Sequence, residues 1–336
     1  MRLTYIVVFL AGALAPVSTF GADGTACDAG CSASQPDCQL PAPCAAGNAC
    51  AYVKVDAMFL QLDRAKLPVL TTNQNTGATV LSMSDLNFRT EGGPRLTIGG
   101  LIDECTTAEV VYFGLYDWHA SAGATGANDL RLPGDLAFAS HDFYGADAAN
   151  ATYTARLHNA EINGWRDVDC TCLSIMAGLR YINFQERFGL RLTDVDLTSA
   201  DYNVGTENSL IGAQIGGRLH GKCGAFGLEL TSKTGVFNNS ARQNTFVSDV
   251  GAPAALRDSI TNGNHTAFVS ELELLGSVCL TNHISARAGY EFMWIAGIAR
   301  SPDQLDFTDT ATSGTALNTS GTAFVHGATV GLELHW

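Results

Sequence analysis

Residues 323–336 read AFVHGATVGLELHW, and the fold turns on how this stretch is read. Phe324, Ala328, Val330, Leu332, Leu334 and Trp336 share one face of an extended chain. Gly327, Thr329, Gly331, Glu333 and His335 share the other. Period-two alternation over a dozen residues predicts a half-buried strand. It is long for an edge strand of a soluble sandwich, and long enough for a wall that crosses a bilayer. The neighbouring sequence has to separate those readings.

Working outward, the same pattern recurs. Strands are expected near 52–63, 88–101, 107–118, 153–166, 172–186, 206–220, 225–237, 265–278, 284–299 and 322–336. Short connections at 102–106, 167–171, 221–224 and 279–283 alternate with long ones, rich in Asn, Asp, Gly, Thr and Ala, at 64–87, 119–152, 187–205, 238–264 and 300–321. Brief turns at one end and long loops at the other are the pattern of an outer-membrane barrel. The expected fold class is therefore all-β: a transmembrane antiparallel up-and-down β-barrel of about ten strands, with eight and twelve the alternative counts. An even count places both termini at the short-turn, periplasmic end. An unpaired strand edge cannot be tolerated in hydrocarbon, so the last strand is expected to pair with the first.

The faces agree. Ile284, Ala286, Ala288, Tyr290, Phe292, Trp294 and Ala296 alternate with Ser285, Arg287, Gly289 and Glu291. Ile211, Ala213, Ile215 and Leu219 oppose Gln214, Gly216 and Arg218, and Leu228, Leu230 and Val236 oppose Glu229, Thr231 and Lys233. Tyr116, Trp118, Tyr181 and Trp294 fall late in outgoing strands and Trp336 closes the last one, the two depths of an aromatic girdle. Two stretches are untidy. Met58-Phe59-Leu60 is apolar on both faces, and Arg156-Leu-His-Asn159 is mostly polar on both.

Alternation assigns the interior the acids Asp56, Glu91, Glu109, Asp117, Glu161, Glu186, Glu229, Glu271, Glu273, Glu291 and Glu333, against Lys54, Arg95, Arg180, Arg218, Lys233 and Arg287. A ten-stranded lumen is near the size that side chains alone fill, so charges inside must pair. Arg287 with Glu291 and Lys233 with Glu229 are candidate pairs. If a wet path exists, the acid excess favours cations.

Composition fits. The 336 residues carry 46% hydrophobic and only 15% charged side chains, with 35 glycines, as expected of many strands and turns whose surface need not all face water. The net charge of -14 makes nucleic acid and anionic membrane surfaces poor partners. Met1-Arg2, the apolar run 6–15, Pro16 and small residues to Gly21 read as a secretory signal peptide over 1–21. That run is too short to span a bilayer, and no later stretch is long and apolar enough for a transmembrane helix.

Ten cysteines in an exported chain read as disulfides. Cys27, Cys31, Cys38, Cys44 and Cys50 crowd a Cys/Pro-rich periplasmic segment over 22–50, with the barrel at 51–336. Cys105, Cys170, Cys172, Cys223 and Cys279 sit at or beside short turns, and none lies in a long connection. The spacings lack paired C-x2-C motifs and a nearby histidine, so no metal is expected there.

With the strands placed, GPRLTIGGLIDECTTAEVVYFGLYDW (93–118), LHNAEINGWR (157–166), AGLRYINFQERFGLR (177–191), LIGAQIGGRL (210–219) and GYEFMWIAGIARSPDQL (289–305) together resemble the bacterial putative beta-barrel porin-7 family. The resemblance implies an outer-membrane barrel and brings no catalytic or ligand residues.

Two functions follow as expectations. One is a passive diffusion pore for small solutes with weak cation preference. The other is a closed structural barrel whose periplasmic cysteines cross-link copies to each other or to other envelope proteins by disulfides. Outer-membrane lipid is the expected surrounding partner, and no cofactor is expected. A barrel-embedded hydrolase would draw on His119, His141, His265, Asp142 and Asp303, but histidines among loop acids are ordinarily solvated surface, so no enzyme is expected.

Overall fold

The computed structural model describes residues 51–63, 68–103, 105–168, 172–196, 198–223, 225–252, 254–281 and 283–336. The expected signal peptide, the 22–50 segment with its five cysteines, and Cys170 lie outside them.

Ten long strands form the wall: β1 (Ala51–Leu62), β4 (Glu91–Asp103), β5 (Thr106–Arg131), β6 (Tyr144–Asp167), β7 (Leu173–Thr193), β8 (Ser199–Cys223), β9 (Phe226–Asp249), β10 (Arg257–Cys279), β11 (Ile284–Ile298) and β12 (Gly321–His335). Each pairs antiparallel with its neighbours, β1 lies between β12 and β4, and the β5–β6 pairing closes the ring. Two extra strands, β2 (Val69–Asn73) and β3 (Thr79–Ser82), form a hairpin on the far end of β5. Asn73 Oδ1 accepts from the amides of Asn75 and Thr76, each at 3.0 Å, and Gly77 turns at φ +69°, which makes this a tight turn inside a connection expected to be loop.

The stretch 323–336 lies almost wholly in β12. Val330 faces Ala57 of β1 on one side and Ala288 of β11 on the other. Its Ala328, Val330, Leu332, Leu334 and Trp336 point outward and are exposed. So do Ile211, Ile215, Leu228 and Trp294, and the exterior at this level is an apolar band suited to hydrocarbon. Among the described residues no helix is long and apolar enough to cross a membrane.

The short-turn ends of the strands fall close to expectation, but the far ends do not. β5 runs to Arg131, β9 to Asp249, and β6 and β10 begin at Tyr144 and Arg257, so much of the expected long loops is strand. The reason is an inversion of pattern along the longer strands. In β7, Ile175, Ala177, Leu179 and Tyr181 face out while Ser174 and Arg180 face in. Beyond them Asn183, Gln185, Arg187 and Arg191 face out while Ile182, Phe184, Phe188, Leu190 and Leu192 are buried inside. One half of the wall is built for oil outside and charge inside, and the other half is a soluble-type barrel with an apolar core.

The two untidy stretches lie where the pattern inverts. Phe59 is the last outward apolar residue of β1, while Met58 and Leu60 already belong to the apolar core. Arg156 and His158 face out, and Leu157 and Asn159 face in, one on each side of the crossover.

Candidate functional site: the barrel lumen

The inward face of the apolar-belted half is a layer of crossed ion pairs. Arg95 on β4 gives Nε to Asp56 Oδ2 at 3.0 Å, Nη1 to Glu291 Oε2 at 3.0 Å and Nη2 to Glu273 Oε1 at 2.6 Å. Glu273 and Glu291 lie directly opposite each other on β10 and β11, an arrangement that like charge makes unfavourable. Arg95 reaches across the lumen and neutralises both.

A second group repeats the device. Arg180 sits opposite Glu161 across the β6–β7 pairing and Lys233 opposite Glu271 across β9–β10. Across the lumen, Arg180 Nη1 meets Glu271 at 2.8 Å and Lys233 Nζ meets Glu161 at 3.1 Å. Arg287 holds Asp56 Oδ1 at 3.1 Å over the backbone of Gly331, which lies between them on β12. It also meets Glu333 at 3.4 Å, and Lys54 lies 4.0 Å from the same carboxylate. Arg218 binds Glu229 at 3.2 Å and stacks 3.9 Å over the Trp165 ring, while Trp165 Nε1 donates to Glu109 at 2.7 Å.

The expected same-strand pairs, Arg287 with Glu291 and Lys233 with Glu229, do not form. Residues four apart on a strand are about 13 Å apart, whereas cross-strand neighbours are within about 5 Å.

Asp117 is a further correction. It is exposed on the outside, and Trp118, expected in the girdle, is fully buried inside with Nε1 donating to the Leu60 carbonyl at 3.0 Å. Leu115 faces Leu157 and Trp118 faces Ala155, so β5 holds one extra residue there and its faces exchange. Tyr116, Tyr181, Trp294 and Trp336 are exposed on the outer surface. Glu91, at the mouth end of β4, is only half-buried. Glu186 belongs to a different level, described next.

Above the charged layer the lumen is apolar. Met58, Phe113, Trp118, Phe184, Phe237 and Met293 are among the side chains buried there. The connection from 299 to 320 folds down over this core, with Leu305 and Phe307 packed against it. Sequence reasoning missed the residue that fixes it. Arg300, 2% exposed, gives Nε to Glu186 Oε1 at 3.1 Å, Nη1 to Asp63 at 3.1 Å and to the Thr322 carbonyl at 2.9 Å, and Nη2 to the Tyr153 hydroxyl at 3.1 Å. The Tyr153 hydroxyl donates to Glu186, whose other oxygen accepts from the Ser301 amide at 2.8 Å. Arg257 adds a second clamp, donating to the carbonyls of Asp306 at 2.7 Å and Thr308 at 2.6 Å. An arginine at the edge of an expected loop carried no periodic signal.

Within the charged layer a cavity of about 30 Å³ remains, lined by Lys54, Thr97, Arg218, Glu229, Thr231 and Arg287 among others. That is room for about two water molecules.

At the long-connection mouth His141 Nδ1 lies 3.4 Å from Asp194 and 3.9 Å from Asp142. The Asp142 carboxylate accepts from Thr198 at 2.9 Å. His119 and His265 are exposed on strand extensions. At the opposite rim Cys105, between β4 and β5, carries a free thiol, contrary to the disulfide expected of it. The five cysteines of 22–50 fall outside the described residues. Cys172, Cys223 and Cys279 stand at the same rim, at the start of β7 and the ends of β8 and β10.

A profile of the family described as Putative beta barrel porin-7 (BBP7) matches residues 137–336. No curated protein matches the chain. Among solved structures the chain is similar to the outer membrane protease OmpT of Escherichia coli at 10% identity, covering 85% of this chain and 97% of that one, with a TM-score of 0.43. It is similar to the translocator domain of the autotransporter NalP of Neisseria meningitidis at 11% identity, covering 86% and 89%, with a TM-score of 0.37. A Pseudomonas aeruginosa FadL homologue matches at 7% identity over 86% and 90%, with a TM-score of 0.27.

Proposed function

Because the chain belongs to the putative beta barrel porin-7 family, we propose that it is a barrel of the bacterial outer membrane whose lumen is closed, and that it serves the envelope as a structural barrel and not as an enzyme. The observation that carries this reading is the double filling of the lumen. The Arg95, Arg180 and Lys233 ion pairs cross the apolar-belted half, and the Arg300-anchored connection seals the apolar core above them. A passive pore would need both layers displaced. Removing one partner of a buried ion pair typically costs about 3–5 kcal/mol, so spontaneous opening through this layer is rare.

The test is solute release from liposomes holding the purified full-length barrel. Release of a small sugar or amino acid no faster than from empty liposomes is expected. Release that scales with protein content would overturn closure and restore the diffusion-pore reading, with cations then expected to pass ahead of anions because of the acid excess.

The rim favours a companion role. Cys105 stands at the short-connection end with a free thiol, whereas Cys172 and Cys279 at the same rim are already disulfide-bonded. Sulfur placed on one side suits covalent attachment there, to the 22–50 segment or to another envelope protein. Non-reducing electrophoresis of envelope fractions separates the cases. Bands above the monomer that collapse with reductant support attachment to partners, and a monomer band unchanged by reductant excludes it.

A further inference from the structure

We propose that the outward arginines of β6, β7 and β9 bind the phosphorylated saccharide headgroup of an outer-leaflet glycolipid. Arg156, Arg187 and Arg242 are exposed on the outer wall, and none of their side chains makes a hydrogen bond or ion pair with a described residue. The arginines that reach into the lumen are committed differently, each to carboxylates or carbonyls. Thr154 faces Arg187 and Gln185 faces Arg156 across the β6–β7 pairing, so the two arginines are diagonal neighbours, about 7–8 Å apart. That spacing lets a single anion contact both guanidinium groups. Arg242 stands two strands further on, opposite Glu207, whose Oε1 is already taken by Asn183 at 3.2 Å and Gln185 at 3.3 Å.

The apolar face directly below identifies the anion. On the same outward face, Arg156 follows Ala160 and Ile162, Arg187 follows Tyr181 and Leu179, and Arg242 follows Val236. Polar side chains fill the interval: His158 on β6, Asn238 and Ser240 on β9, and on β7 Asn183 and Gln185, whose amide groups already donate to Glu207, Ser209 and each other. A lipid whose acyl chains lie on the apolar positions brings its headgroup to the level of the arginines. At about 3.3 Å per residue on strands tilted near 40°, the arginines stand roughly 10–15 Å above the last apolar side chains. That height suits a saccharide headgroup with attached phosphates better than a compact phospholipid. The flanking strands oppose anions, since β5 and β10 present Asp117 and Asp258 outward. A chain of net charge -14 thus carries one local sector of the opposite sign.

The proposal rests on the outer-membrane placement above, which membrane fractionation tests separately. For the site itself, the full-length protein in neutral detergent is titrated with a diphosphorylated disaccharide glycolipid (lipid A) and with its dephosphorylated form, and adducts are counted by native mass spectrometry. The expected result is retention of the phosphorylated lipid at least about tenfold tighter than the dephosphorylated one. The triple variant R156Q/R187Q/R242Q should lose that preference, and so should the wild type in high salt. Circular dichroism keeps an unfolded variant from counting as support, and R191Q, whose arginine pairs with Asp201, should keep the preference. Equal binding of both lipids, a triple variant that retains the preference, or displacement by inorganic phosphate at the lipid's own concentration would each overturn the proposal.

Discussion

Arg95 is the residue with the most to lose. Three carboxylates depend on it, and two of them face each other on adjacent strands. Arg95→Met should destabilise the barrel by about 3–5 kcal/mol in a denaturant titration from detergent, because it leaves buried charge unpaired. Adding Glu273→Gln and Glu291→Gln should recover part of the loss, and a triple variant no better than the single one would contradict the bridging role. Gly331 makes a related case: a Cβ there would overlap Asp56 Oδ1 and the Val55 carbonyl oxygen, so Gly331→Val should break the Asp56–Arg287 contact. On β5 the two neighbours Asp117 and Trp118 should respond oppositely. Asp117→Ala is expected to stay within about 0.5 kcal/mol of wild type, while Trp118→Ala should cost about 3–5 kcal/mol. Parity along the sequence assigns these two the other way round, because a single extra residue in a strand leaves no mark in an alternating pattern. The inward positions of Lys54, Glu161, Arg180 and Glu291, on strands without that extra residue, were legible from alternation alone.

The longer strands carry two patterns joined end to end. The halves with apolar residues outward were readable because Ile211, Ile215, Leu228 and Leu230 alternate with small, polar or charged residues. The far halves read as loop because their outward residues, such as Asn238, Ser240, Arg242 and Asn244, are those that also populate loops. The apolar partners that bury beneath them, such as Phe237 and Val247, are thinly spread. The connection from 299 to 320 was opaque for a different reason: it is held by side-chain bonds to strands distant in sequence, and no local pattern encodes such contacts. Its far part is tied by Asp306. Burial pushes the Asp306 carboxyl up, but the Thr308 hydroxyl and amide, the Gly314 amide and the charge of Arg257 more than offset this, and it is held below the usual carboxylate range. A group depressed in the folded state stabilises it fully above its unfolded value, about 3.9, and loses that contribution as pH falls through the folded value. The protection of the Thr308 and Gly314 amides, measured relative to their intrinsic exchange rates at each pH, should therefore be the same at pH 7 and pH 5 and fall on further acidification. Protection lost on raising the pH would contradict this assignment.

The proposed closure belongs to the barrel as a whole. Ten strands fix a lumen that side chains can span, and the chain fills it twice, with crossed ion pairs below and an apolar core under a clamped connection above. Strand count, order and sidedness were readable in the alternation of short and long connections. The partners of the inward charges were not, since the same list of residues fits many pairings until cross-strand distances are known. Two independent layers also make a further prediction: Arg300→Gln, which frees the connection, should leave the lumen shut, because the Arg95 and Arg180 layers remain. Single-channel recording of the wild-type barrel in a planar bilayer tests this most directly. A flat baseline at physiological voltages after verified insertion is the predicted trace, and reproducible discrete conductance steps would contradict the closed lumen.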